Sequence, residues 1–265
     1  MLTVSAPQMA RLQVCASESF VETLVTHARE TLPAFAAHCD DSELKIAIRS
    51  ALEKARQHGW TLQGSARFYV EMALLFGIGF ANDPFHAWFT QTCKANAGLP
   101  ELAQADACYA ALSSGWRRMV GDDGQRQRRA FERWQRFDPL KAFPAQLQVP
   151  EFMSRLQTAL AALYPAMWDA ADAEARTWLC AAAGSRLAEG IVPSLSGQFA
   201  CLQFFLGHAA LRDPLHPWVG VALLDPTTGN TNKASPAVAL HQATLRYLQA
   251  RLPAADNAVT PAKKG

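Results

Sequence analysis

Apolar residues recur at helical spacing along most of this chain, and the stretches between them are marked by Gly, Pro or Asp-Pro. Phe20, Leu24, Ala28 and Leu32 form one stripe, which predicts a first helix over residues 7–32 with Ser5 and Gln8 as a capping box. Asp40, with Glu43 three residues on, opens a second helix whose buried stripe is Leu44, Ile48, Leu52 and Ala55. Gly59 fits the left-handed position that stops it. A third helix is expected over residues 64–80, carrying Phe68, Met72, Leu75 and Phe76. It is the most apolar and is expected at the centre. Asp83-Pro84 reads as an N-cap with proline at the first helical position, opening a fourth helix. Pro100 opens a fifth, running to about residue 119.

This order then returns. LLFGIGFANDPFHAW (residues 74–88) aligns with FFLGHAALRDPLHPW (residues 204–218) at a constant offset of 130. Gly77, Asp83, Pro84, His86 and Trp88 recur as Gly207, Asp213, Pro214, His216 and Trp218. Upstream, SFVETLVTHARETLPAF (residues 19–35) pairs with EFMSRLQTALAALYPAM (residues 151–167) at an offset of 132. Gly59 and Gly190 end the intervening helix in each copy. The expected fold is therefore all-α, with two tandem pseudo-symmetric modules of about five helices each, packed as one body. The first copy covers residues 1–120 and the second 151–253. An arginine-rich connector fills 121–150, and 254–265 is expected to be a disordered tail.

Composition agrees with helix. Half of the 265 residues are hydrophobic, with Ala and Leu prominent and Val and Ile sparse. A net charge of +2 gives no global attraction for nucleic acid or an anionic membrane. The first residues lack the pattern of a signal peptide, and no apolar run reaches the roughly 18 residues of a membrane span. A cytoplasmic location is expected. The six cysteines show no CxxC spacing, so no zinc site of that type is expected and reduced, mostly buried thiols are.

The repeated DPxHxW is the sharpest candidate for chemistry. One reading gathers Asp83, His86, Asp213 and His216 as metal ligands. The preferred reading is structural: Asp caps, Pro starts, His bonds the helix end and Trp packs inward. Gly77 and Gly79 then serve close helix crossing, and His208 is a hydrogen-bonded core histidine in the central helix. GxSxG, P-loop and GxGxxG signatures are missing, so no catalytic residue, metal or cofactor is assigned. Ser196 reads as a cap for the helix that follows.

Function is sought in what the two copies do not share. The connector carries Arg126, Arg128, Arg129, Arg133 and Arg136, spread around much of a helix, with Phe131 and Trp134 between them. Pairing with Asp122, Asp123 and Glu132 would leave it an ordinary solvated helix. As a partner-binding surface, Arg126, Arg128, Arg129, Arg133 and Trp134 line a groove between the modules. A second candidate is the loop of residues 225–235, with Asn230 and Asn232, which the first copy lacks at that length.

The first copy also resembles a known family. An N-terminal QMxxL is followed by FVETLVTHARETLP, ELKIAIRSALEKARQHGWT and YVEMALLFGIGFANDPFHAW. Phe76-Gly77, Phe80, Asp83-Pro84 and Trp88 carry its pattern. This is similar to small helical accessory proteins encoded in bacterial type VI secretion gene clusters, beside PAAR-type spike and effector genes. The match covers residues 1–120 and extends weakly into the second copy. The resemblance implies a non-catalytic adaptor or effector co-chaperone, binding an effector, its chaperone or the spike tip. An immunity protein neutralising a cognate toxin is the alternative, and a metal-dependent helical-bundle enzyme a third.

Overall fold

The computed structural model describes residues 5–33, 39–224 and 235–252, without the side chains of residues 6–14 and 122. Thirteen α-helices and no strands lie among these residues. The first five are α1 (Ala6–Thr31), α2 (Asp41–Gln57), α3 (Gln63–Phe76), α4 (Ala87–Ala95) and α5 (Glu101–Val120). Then come α6 (Gln125–Arg136) and the one-turn α7 (Pro139–Ala142). The remainder are α8 (Val149–Leu163), α9 (Pro165–Ala170), α10 (Ala173–Ala188), α11 (Pro193–Leu206), α12 (Pro217–Leu224) and α13 (Pro236–Arg251).

Local signals set many of the boundaries. The Asp40 carboxylate accepts from the Glu43 amide at 2.9 Å, and Glu43 accepts from the Asp40 amide at 3.0 Å. That reciprocal box starts α2 where its sequence pattern places it. Gly59 and Gly190 follow α2 and α10 with φ of 81° and 90°, the left-handed geometry that favours glycine. The Ser5–Gln8 box involves the Gln8 side chain and lies outside the described residues, as do Asn230, Asn232 and the tail.

Several boundaries differ from the sequence pattern: Asp83-Pro84 opens a 3-10 turn over Pro84–His86 and α4 starts only at Ala87. The apolar run over residues 64–80 does not continue as helix. It stops at Phe76, because Gly77 turns to φ 90°, and residues 80–82 form a separate 3-10 turn. Ser196 is not a cap either. α11 already starts at Pro193, and the buried Ser196 hydroxyl donates to the Ala183 carbonyl at 2.7 Å, tying α11 to α10.

Two hydrophobic clusters form. The first joins α1 to α5 around Leu24, Ile48, Trp60, Tyr69, Phe80 and Phe89, all nearly inaccessible. The second centres on Phe152, Leu156, Leu160, Phe199 and Phe204, with α13 packed on α11 and α12. The connector belongs to this second core rather than bridging two bodies. Ala130, Phe131, Trp134, Phe143 and Leu147 are all buried in it. The clusters also exchange residues. Leu215 of the second copy is buried in the first core, and Phe85 of the first packs on the second.

Candidate functional site

Gly77, Asp83, Gly207 and Asp213, which recur in the sequence, meet at one crossing. Asp83 ends a turn and starts another: its Oδ1 accepts from the Phe85 amide at 2.9 Å, the local cap expected of an Asp-Pro pair. Its Oδ2 accepts at 2.8 Å from the amide of His208, in the other copy. Asp213 does the converse. Its Oδ1 takes the Leu215 amide at 2.9 Å, and its Oδ2 takes the Ile78 amide at 2.7 Å. Each aspartate thus caps its own turn and holds the Gly turn of the opposite copy.

The glycines make that approach possible. Gly77 and Gly207 have φ of 90° and 94°. A Cβ added at Gly77 would lie 2.6 Å from the Leu206 carbonyl oxygen, and one at Gly207 would run into the Phe76 carbonyl. The crossing is therefore one of backbone turns beyond the ends of α3 and α11, not of helices packed through their middles. A Cβ on Gly79 would meet the His208 ring at 2.5 Å. His208 itself sits in the turn after α11, a quarter exposed, with its ring edge-on to Trp178. It is not a core histidine of the central helix.

His86 stands at the N-cap position of α4, but its side chain makes no capping hydrogen bond. His86 is buried with its ring centroid 4.3 Å from that of Phe76. Its Nδ1 meets no protein partner among the described residues. Burial holds its pKa below the ordinary histidine value, favouring a neutral ring. His216 stands edge-on to Tyr247 at 5.7 Å, and Trp218 stacks on the same Tyr247 at 5.1 Å. Both tryptophans are half-buried. The aspartate oxygens are occupied by backbone amides, and among the described residues no three metal-ligating side chains converge. Burial pushes Asp213 up to about 6 against the lowering effect of its two amide donors.

The connector helix α6 is sharply two-sided. Ala130, Phe131 and Trp134 form its buried face. The Trp134 ring stacks on Phe205, with centroids 4.3 Å apart and planes at 17°. Trp134 is therefore a core anchor, not a surface contact. Arg126, Arg128, Arg129, Arg133 and Arg136 are all exposed on the remaining face, so they are not spread around the circumference. Among the described residues, none of the five forms an ion pair with an acid, whereas Arg29, Arg49 and Arg155 do. Arg126 donates instead to the carbonyl of Arg118, another exposed arginine, extending the basic face onto the end of α5.

The cleft between the copies lies elsewhere. A space of ≈ 320 Å³ opens between α4, α5 and the α9–α10 turn, lined by Phe85, Trp88, Gly115, Arg118 and Asp172 among others. The arginines of α6 are not among its lining residues. This cleft has no motif in the sequence: its residues come from three separate segments. A larger open groove of ≈ 750 Å³ runs between α1 and α2, over Phe20, Leu52 and Trp60.

The chain matches no family model, no curated protein and no solved structure. No helix among the described residues is long and apolar enough to cross a membrane.

Proposed function

We propose that this chain is a non-catalytic adaptor of a bacterial type VI secretion system. It grips an acidic surface of an effector, its chaperone or the spike tip through the arginine face of α6. The observation that supports this reading is the row of five exposed arginines without acidic partners among the described residues, on a helix whose other face is fixed in the core. Arg155, by contrast, pairs with Glu151 one turn away at 2.8 Å. An arginine face left open on a rigid support presents guanidinium forks with little ordering entropy left to lose. An acidic protein fits better than nucleic acid, since the chain's net charge of +2 supplies no wider basic footprint.

The motif residues support a non-catalytic reading in a second way. Asp83, Asp213, Gly77 and Gly207 are consumed in joining the copies. That leaves the unshared connector as the place where a partner is read.

The test is a pull-down with the products of neighbouring genes, using the wild type and Arg129→Glu/Arg133→Glu. The adaptor reading expects co-purification of an effector, chaperone or spike protein. Capture should fall at least tenfold in the double variant and weaken steeply with salt. The captured toxin should keep its activity. Neutralised toxin would make the chain an immunity protein instead. Unchanged capture by the double variant would remove the arginine face from the interface.

A further inference from the structure

One feature outside the arginine face carries chemistry of its own. Cys93 on α4 and Cys108 on α5 are brought together where these two helices pack along each other, joined by residues 96–100. Their sulfurs are 3.6 Å apart. Cys108 is fully buried and Cys93 half-exposed, so one thiol of the pair is reachable from solvent and the other is shielded behind it. The remaining cysteines offer no such arrangement among the described residues. Cys15 is exposed, Cys39 donates to the Leu215 carbonyl at 3.4 Å, and Cys180 and Cys201 are buried.

We propose that Cys93 and Cys108 form a reversible redox pair, a dithiol in this structure that closes to an intramolecular disulfide by exchange with a small disulfide of the glutathione type. The reachable Cys93 thiolate attacks one sulfur of the small disulfide, releasing one small thiolate and leaving a mixed disulfide on Cys93. Cys108 then gives up its proton and attacks the Cys93 sulfur, releasing the second small thiolate. The protein loses two electrons and two thiol protons, and the small disulfide gains both to become two thiols. Bond formation needs the sulfurs to close by about 1.5 Å, to the roughly 2.05 Å of a disulfide. The hydrogen bond between the thiols supports this order of attack. It lowers the Cys93 pKa, while that bond and burial raise that of Cys108.

The position gives the pair something to act on. Gln91, two residues before Cys93 in α4, and Ala111, one turn of α5 from Cys108, line the ≈ 320 Å³ cleft between the copies. A disulfide would fasten α4 to α5, the two helices that form one side of this cleft.

The test uses full-length protein carrying Cys15→Ser, which removes the exposed thiol, incubated with excess oxidised glutathione or with dithiothreitol. Peptide mapping should show a linked Cys93–Cys108 peptide only in the oxidised sample, with the intact mass lower by two hydrogens. The thermal midpoint should rise by several degrees on oxidation and return on reduction, since the cross-link closes a loop of roughly 15 residues. Cys108→Ser should accumulate one glutathione on Cys93, and Cys93→Ser should take up none at that site. If Cys108→Ser fails to fold, the wild-type mapping and Cys93→Ser still decide. Free, alkylatable Cys93 and Cys108 after oxidation, or a mixed disulfide on Cys93 that never resolves, would overturn the proposal.

Discussion

At the scale of single residues, the crossing is demanding. Gly207 and Gly190 share nearly the same φ, 94° and 90°. A methyl group at Gly190 meets nothing within 4 Å, whereas at Gly207 it runs into the Phe76 carbonyl. Gly190→Ala should therefore cost only the left-handed strain, about 1 kcal/mol. Gly207→Ala should cost several kcal/mol more, on the order of the larger core substitutions, because opposing backbone must move. Urea unfolding of the two variants measures the difference, and equal costs would show that the crossing does not constrain the backbone. Asp213 adds a pH signature. Its folded pKa, about 6, lies above the 3.8 of an ordinary carboxyl. The stability it contributes is full below pH 4 and is lost as pH rises through 6, a difference of roughly 3 kcal/mol. The stability gap between wild type and Asp213→Asn should thus shrink between pH 4 and 7 in parallel denaturant titrations. A gap that widens over that range would refute the assignment. The sequence repeat made Gly77, Asp83, Gly207 and Asp213 visible and made a structural role the better reading. It did not reveal that each carboxylate reaches the opposite copy. That pairing joins His208 to Asp83 across more than a hundred residues, and no local spacing encodes it.

At the scale of elements, the Asp40 cap was legible, whereas the role of Ser196 and the helix ends in apolar runs were not. The Asp40–Glu43 box and the stop at Gly59 are local events, and both are where the spacing puts them. The end of α3 at Phe76 is set by the turn that Gly77 makes against α11, so the continuing apolar run 77–80 misleads. The connector shows the same limit. Its helix was readable, but five arginines in twelve residues masked the buried face formed by Ala130, Phe131 and Trp134. A prediction follows from that two-sidedness. Trp134→Ala should destabilise the protein by about 3–5 kcal/mol, because it removes a buried ring stacked on Phe205. Arg129→Glu/Arg133→Glu should change stability by less than about 0.5 kcal/mol, since both side chains are exposed and unpaired with acids. Thermal melts of the two variants separate the faces. A strongly destabilised arginine double variant would mean that these side chains hold the fold rather than present a surface.

At the scale of the molecule, the two halves ought to behave as one cooperative unit. The sequence suggests two tandem modules packed as one body, although tandem modules often unfold in steps. The packing argues for a single step. Leu215 fills the first core and Phe85 packs beside Phe204 in the second, with ring centroids 5.3 Å apart. Asp83 and Asp213 each hold a turn of the other copy, and the Tyr164 hydroxyl donates to the Met119 carbonyl at 3.0 Å. Unfolding either half would strip the other of a core side chain and of the carboxylate that holds its turn at Ile78 or His208. The apolar surface of the crossing would then face water, so a half-folded state should be scarcely populated. Calorimetry should show one transition whose calorimetric and van't Hoff enthalpies agree. Phe85→Ala should lower the midpoint of that single transition without splitting it, because its loss weakens the second core from the first copy's side. Two resolved transitions in the wild type would mean that the exchanged residues do not couple the cores. Cutting the chain at residues 121–124, between α5 and α6, gives a second measure. The fragments should stay associated through size-exclusion chromatography, since the crossing and both cores hold them together without the covalent link.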